Sequence, residues 1–265
     1  MNLLPIEIID WKQWIMAFGL TLPRLLGVLS LLPLASRQII PGLLRACIAA
    51  ALCGVMVPFI REQLDLADPS ALEYMAIICK ESLIGLLLGF LASIPFWAFE
   101  AVGFFIDNQR GAAIAGVFSP LSGADSSPLA DLLQLAVITF FLVVGGFTLL
   151  LSMVYESYVL WPVFDWWPQF NAEMVPLLLA QLDKFMRFML VFSAPVVLAM
   201  FLAELGLALI SMFAPQLQVF FLSIPIKSGL AMWLLGLYMG ALFIYVNESF
   251  LQQSELLSLF EMMTR

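Results

Sequence analysis

The sequence predicts an all-α, polytopic membrane protein. Three observations lead to this prediction: 63% of the 265 residues are hydrophobic, the mean hydropathy is +1.04, and only 11% of the residues are charged. Soluble domains are close to half apolar and about a quarter charged, so this composition is typical of a chain that crosses lipid several times. Long apolar segments satisfy their backbone polar groups in lipid by forming helices.

A first helical hairpin is predicted over residues 13–60, which contain Arg24 and Arg45. An arginine within lipid is costly, and it usually faces a bundle interior, a partner or a headgroup. Two interpretations therefore stay open for both residues. Their side chains either snorkel to the interface at helix ends or face a partner subunit.

Long helices are predicted over residues 74–160, with a polar island inserted at residues 107–131. The apolar run 74–106 would measure about 50 Å as one helix, more than the ~30 Å hydrocarbon core of a bilayer. Pro95 lies within this run and predicts a kink or a break into two helices. The island is rich in Gly, Ser and Pro, and irregular backbone at membrane depth occurs only inside protein or beside water. We therefore expect either an exposed loop or a segment sheltered in an assembly.

The apolar run after the island contains Gly145-Gly146, which permits a bend or close helix approach. It ends in clustered aromatic residues of the kind found in interfacial belts. These residues are Tyr155, Tyr158, Trp161, Trp166 and Trp167.

The last region, residues 173–246, repeats this arrangement: a long Pro-interrupted apolar run, a polar hinge at 214–229, and another apolar run. Paired interrupted segments mark substrate pathways in secondary transporters, so a transporter with a midplane site at the two hinges is one alternative function. A membrane scaffold without any pathway is another. Residues 247–265 have apolar positions at helical spacing and predict an amphipathic tail.

Several kinds of chemistry are not expected. The chain has no histidine, and its net charge of −8 gives no basic surface for nucleic acid. It contains no phosphate-binding, dinucleotide-binding or zinc-protease motif. Lys227 lies near Ser223 and Ser228, but nothing in the sequence orients such a pair for catalysis. We therefore expect no enzyme activity, no catalytic residue, no metal and no cofactor.

Five segments together resemble one family. They are IDNQRGAAIAGVFSPLSGADSSPLADLL, the Gly145-Gly146 run, SYVLWP, SAPVVLAMFLAELGLALISMFAPQLQVFFLSIPIKSG, and the early LPR with IIPGLLR. They resemble SctT, the FliR-related export-apparatus protein of type III secretion systems, over about residues 15–245. DNQRG and PIKSG look closer to SctT than to FliR. This favours a virulence injectisome, with flagellar export of the FliR type as the alternative.

The resemblance implies a non-enzymatic subunit of a protein export gate, through which unfolded secreted polypeptides cross the bacterial inner (plasma) membrane. It implies a multi-pass chain within the basal body of the secretion system. The implied partners are SctR-like and SctS-like gate subunits, an SctU-like switch protein and an SctV-like export protein. The implied fold is a set of long, Pro-interrupted, tilted helical hairpins, similar to an SctR-like and an SctS-like unit fused.

The resemblance also implies site residues, because the matching loop of FliR-like proteins projects into the export channel and helps to close it. Small residues allow close approach, and an apolar constriction at Phe118 would exclude water. A plain helix-connecting loop is the alternative. The expected plug residues are Arg110, Gly111, Ala112, Ala113, Gly116, Val117, Phe118 and Pro120. The expected hinge or subunit-interface residues are Asp107, Asn108, Gln109, Pro215, Gln216, Lys227, Glu204, Arg24 and Arg45.

Overall fold

A computed structural model describes residues 4–36, 39–67, 69–111, 127–165, 174–214 and 219–251. Every regular element within these ranges is helical, which confirms the all-α class. The helices are α1 (Leu4–Leu31), α2 (Gly42–Cys53), α3 (Val57–Ala67), α4 (Ala71–Arg110), α5 (Pro128–Val143), α6 (Gly146–Leu160), α7 (Met174–Phe213) and α8 (Val219–Leu251), with a short 3-10 turn at Pro33–Ala35.

Four helices in the described part of the chain are long and apolar enough to cross a membrane. They contain the candidate spans Trp11–Leu31, Ala71–Arg110, Leu178–Phe213 and Phe221–Tyr245. The pairs α2–α3 and α5–α6 are each interrupted by a bend, and counting each pair as one span raises the total to six. The prediction of a polytopic membrane protein is confirmed.

The long helices continue through their prolines. Helices α4 and α7 each have 40 residues and contain Pro95 and Pro195, and α8 contains Pro225. A proline removes one helical hydrogen bond and crowds the preceding turn, but the rest of each helix is long enough to continue on both sides. The break into two helices that was one of the two expectations at Pro95 is therefore not observed.

The interruptions lie at other positions. Gly145, between α5 and α6, has φ +84°, a left-handed conformation that side chains with a Cβ rarely adopt. Helices α2 and α3 are bent by 65° at the turn of residues 54–56. The predicted first hairpin is therefore three helices, and the third extends beyond residue 60 to Ala67.

Both polar hinges begin or end differently from the prediction. Asp107, Asn108 and Gln109 form part of the last turn of α4 rather than the start of a loop, because the helix runs on to Arg110. Lys227 lies inside α8, which begins at Val219, so the second hinge is shorter than 214–229. Residues 112–126, 215–218 and 252–265 lie outside the described residues, as do Trp166 and Trp167.

The described residues pack as two compact units. The first contains the residues up to Ser93 and those of Gly145–Leu178, and the second contains Ile94–Val144 and Leu179–Leu251. Helix α4 contributes to both units, because the division falls at Ser93 and Ile94, next to Pro95.

In the first unit, α1 and α4 touch backbone to backbone. A Cβ atom on Gly27 would lie 2.9 Å from the carbonyl carbon of Gly85, and one on Gly89 would lie 2.8 Å from the Val28 oxygen. Such distances leave no room for any side chain. Small residues allow this approach between membrane helices, where dispersion contacts and interhelical hydrogen bonds replace the hydrophobic effect as the main attraction.

The second unit contains two antiparallel helix pairs. The end of α4 runs beside α5, and α7 runs beside α8. Aromatic rings join these helices: Phe96 packs edge-on against Phe141 at 5.1 Å, and Phe188 stacks on Tyr245 at 4.9 Å. The Tyr238 hydroxyl donates a hydrogen bond to the Phe192 carbonyl at 2.8 Å, which fixes the register of α7 against α8.

Candidate functional site

The two ends of the segment 112–126 are joined by one carboxylate. Oδ2 of Asp107, in the last turn of α4, accepts hydrogen bonds from the Ser127 hydroxyl at 2.6 Å and from the Leu129 amide at 3.0 Å. Its Oδ1 lies 2.7 Å from Nε of Arg110. Asp107 is only 3% exposed. We call these four residues the neck, because the chain leaves α4 and enters α5 here.

The neck explains how α5 begins. The first amides of a helix have no partner within it, and a serine preceding the first turn usually supplies one with its hydroxyl. Ser127 occupies that position but makes no capping bond to its own helix. Its hydroxyl donates instead to Asp107. The Asp107 carboxylate, which belongs to α4, caps the start of α5 by accepting from the Leu129 amide. A negative charge at this end of a helix is also favoured by the helix dipole.

Two more contacts hold α4 against α5 beyond the neck. A Cβ atom on Gly103 would lie 2.5 Å from the Ala130 Cα, so the two backbones are in contact. Farther along, the Gln134 amide donates a hydrogen bond to the Glu100 carboxylate. The polar groups therefore follow one line along an antiparallel pair of helices.

The second hinge has an ion pair as well. Nζ of Lys227 lies 3.3 Å from Oε2 of Glu204, across the α7–α8 pair. The two groups differ in exposure: 9% of the Lys227 side chain is exposed, against 50% of Glu204. The pair gives a basic group in apolar surroundings an acidic partner. Pro215 and Gln216, which lie between these helices in sequence, are outside the described residues.

Arg24 lies in a third polar cluster, entirely inside the first unit. Its guanidinium makes two bonds to Glu81, at 2.6 and 3.0 Å, and donates to the Ser157 hydroxyl and the Trp161 carbonyl, each at 3.0 Å. It also lies 4.0 Å above the Tyr158 ring. This position differs from both sequence interpretations, because Arg24 neither snorkels nor faces outward: its side chain is fully buried.

Lys80 extends the same cluster. Its ammonium donates to three backbone carbonyls, those of Pro162, Val163 and Asp165, at 3.1, 2.6 and 2.9 Å. It also lies 3.3 Å from Glu81. The turn that follows α6 is thus attached to α4 by one side chain.

Sequence reasoning missed Glu81, the acidic partner of Arg24. The signal for the α1–α4 contact was the GLLLG spacing of Gly85 and Gly89, which is typical of closely packed membrane helices. Of the expected aromatic belt, Tyr158 and Trp161 are 9% and 7% exposed and lie beside Arg24.

The remaining predicted residues are distributed as follows. Arg45 is half-buried in the first turn of α2, Asn108 is exposed, and Gln109 and Gly111 are half-buried. Gly111 has φ +86°, so the chain leaves α4 through a left-handed residue. Ala112, Ala113, Gly116, Val117, Phe118 and Pro120 lie outside the described residues. The described residues contain no group of three or more acidic or cysteine side chains that could hold a metal ion.

The amino-acid sequence is similar to those of several known proteins. The chain is 40% identical over 246 residues to Yop proteins translocation protein T of Yersinia pestis, covering 92% of this chain and 94% of the relative. It is 31% identical over 246 residues to the secretion system apparatus protein SsaT of Salmonella typhimurium, covering 90% and 93%. It is also 31% identical over 240 residues to the flagellar biosynthetic protein FliR of Bacillus subtilis, covering 88% and 90%.

The family profile described as "Bacterial export proteins, family 1" matches residues 15–253. This range includes both polar hinges and all three polar clusters. A match of this extent, together with relatives aligned over nine-tenths of their length, establishes the family: the chain is a multi-pass membrane protein that belongs to family 1 of the bacterial export proteins.

Proposed function

We propose that this protein is a non-enzymatic subunit of a type III protein export gate in the bacterial inner membrane, where it helps to form and seal the channel for unfolded polypeptides. Family membership and relatives named for translocation, secretion and flagellar biosynthesis support the proposal. The structural observation that carries it is the neck. Asp107 contacts residues on both sides of the segment 112–126, which is rich in small residues and contains Phe118. A segment that blocks a channel has to be held at both ends in this way.

The sealing element in this proposal is the segment from Arg110 to Ser122. A closed gate has to exclude ions and water, and a narrow apolar constriction does so by dewetting. Phe118 and Val117 would provide the constriction. Gly111, Ala112, Ala113 and Gly116 would let neighbouring backbones approach closely, and Pro120 would restrict the chain beyond it.

The proposed partners are SctR-like and SctS-like gate subunits, with an SctU-like switch protein and an SctV-like export protein beside them. These partners would cover the exposed surface of α7 and α8. Within an 18-residue apolar window of each helix, only 11% of α7 and 17% of α8 is buried by this chain. Glu204 is half-exposed on that surface. A carboxylate is expensive to leave against lipid, so a protein partner is the better cover for this region.

We assign the protein to an injectisome rather than a flagellum. Identity to the Yersinia translocation protein is 40%, against 31% to the Bacillus flagellar protein, over comparable lengths. The secretion system protein SsaT is also 31% identical, so the assignment depends on the likeness to the Yersinia protein and on the DNQRG and PIKSG segments.

Ion leakage tests the sealing role. We expect Phe118→Ala, or deletion of residues 111–113, to make cells or reconstituted complexes permeable to small ions, because either change widens the constriction. The matched control is Phe104→Ala, which removes the same ring from an exposed position on α4. Conductance equal to that of the control would show that the segment is a plain connecting loop.

A further inference from the structure

The polar contacts of the neck hold the end of α4 against the start of α5. Two donors bind one oxygen of the Asp107 carboxylate, the Ser127 hydroxyl and the Leu129 amide. The other oxygen forms an ion pair with the Arg110 guanidinium, whose geometry is not that of a hydrogen bond. Hydrogen bonds to an ionised group are shorter and stronger than those between neutral groups. Asp107 is 3% exposed and the Arg110 side chain 16%, so water has little access to replace these partners.

Parting the two helices would leave several groups without partners at once. The Leu129 amide is in the first turn of α5, where the helix itself provides no acceptor. The Ser127 hydroxyl and the Asp107 carboxylate would lose each other in a buried environment. An unsatisfied buried polar group is penalised by the full loss of its solvation.

The rest of the helix pair resists separation by a different means. At Gly103 the backbones of α4 and α5 are in direct contact, with the Ala130 nitrogen 2.6 Å from where a Cβ would be. Such a contact is not released by rotating a side chain. The Glu100–Gln134 hydrogen bond adds a second polar attachment on the same side.

We propose that Asp107 is a positioning residue that keeps α4 and α5 joined at the neck throughout export, so that the path opens without parting these helices. This inference rests on the proposed export function. It adds that α4 and α5 do not separate during export, and that the Asp107 carboxylate keeps them together.

The first test compares four single variants in the full export complex. Asp107→Asn keeps the shape but loses the charge, so we expect about a tenfold or larger rise in ion leak per assembled complex, the factor that corresponds to one lost charge-assisted bond. Asp107→Glu keeps the charge and should recover most of the seal, and Ser127→Ala should leak to an intermediate degree. Asp131→Asn is the control, since it makes the same chemical change at an exposed position of α5.

The second test joins the neck covalently. Asp107→Cys and Ser127→Cys are combined in a chain whose own cysteines, Cys47, Cys53 and Cys79, are replaced by serine. Oxidation with copper phenanthroline then links the pair as a disulfide, because the two side chains are in contact. We expect the unlinked double variant to leak, and linking to restore the seal while secretion of an exported substrate continues. Loss of secretion in proportion to the linked fraction would overturn the proposal, because it would show that the neck has to open.

Parallel measurement of Phe118→Ala separates this inference from the proposed function. If Phe118→Ala increases the ion leak and Asp107→Asn leaks no more than Asp131→Asn, the proposal about the neck is wrong. The proposed sealing role of residues 110–122 is then still supported. If Phe118→Ala itself is tight, the seal is wrong. Complex abundance, measured by blue native electrophoresis, normalises every leak value, so a variant that merely assembles poorly does not count as leaking.

Discussion

Arg24 of α1 and Glu81 of α4 form a two-pronged ion pair with both side chains fully buried, at 2.6 Å and 3.0 Å. The carboxyl end of α6 completes the cluster with the Ser157 hydroxyl and the Trp161 carbonyl. The pair removes the formal charge that either helix would bring into apolar surroundings. Three helices of the first unit are therefore attached to each other through one arginine.

Removing one member of this pair should be worse than removing both. We expect Glu81→Gln to destabilise the purified protein by about 3–5 kcal/mol, because it leaves Arg24 buried without a counter-charge. The double variant Arg24→Met with Glu81→Met should be much closer to wild type, since apolar residues of similar volume often replace a buried pair at little cost. Thermal unfolding in detergent measures both.

Glu62→Gln is the control for that experiment, because Glu62 is an exposed carboxylate on α3. It should change stability by less than about 0.5 kcal/mol. Additive effects of the two methionine substitutions would contradict the pairing seen in the structure.

Lys80 should control the order of the turn after α6. We expect Lys80→Met to increase amide hydrogen exchange between Trp161 and Asp165, because the three carbonyls bound by the ammonium lose their common donor. Exchange in α1 should change little. Lys12→Met, at an exposed position, is the matched control. Unchanged protection of the turn in Lys80→Met would mean that its own backbone bonds suffice.

Replacing Gly85 with alanine should lower the stability of the protein, whereas replacing Gly236 should not. A Cβ on Gly85 would overlap the Arg24 backbone, with the Arg24 Cα at 2.8 Å, so α1 and α4 have to move apart. We expect Gly85→Ala to cost roughly 1–3 kcal/mol, as overpacking does. Gly236 has nothing within 4 Å of such an atom. Gly236→Ala should be neutral or gain up to about 1 kcal/mol from helix propensity.

The same thermal assay on the isolated chain decides this prediction. Equal destabilisation by Gly85→Ala and Gly236→Ala would contradict the packing account, which predicts a cost only where the added Cβ meets a neighbouring backbone.

The fold class could be predicted because it depends on composition, which a membrane constrains strongly. Element boundaries could not. Asp107, Asn108 and Gln109 are polar and precede a glycine, which suggests a loop, but tertiary bonds from Asp107 to Ser127 and Leu129 stabilise the last helical turn. Pro225 suggests a hinge for the same local reason, although α8 continues through it.

Pairing within the site was partly predictable. Lys227 and Glu204 are both isolated charges in apolar runs, which makes each a candidate partner for the other. Arg24 had no such signal, because Glu81 lies 57 positions away and beside Lys80, where it reads as part of a polar helix start. The contact depends on close approach at Gly85, and only the structure shows which helix fits that surface.

The low burial of α7 and α8 within this chain has a consequence for the amount of the protein in the cell. If the proposed gate subunits cover these two helices, a copy synthesised without them would leave most of both surfaces facing lipid, open to membrane-bound proteases. On that proposal, its steady-state level should follow the amount of the scarcest gate subunit rather than its own rate of synthesis.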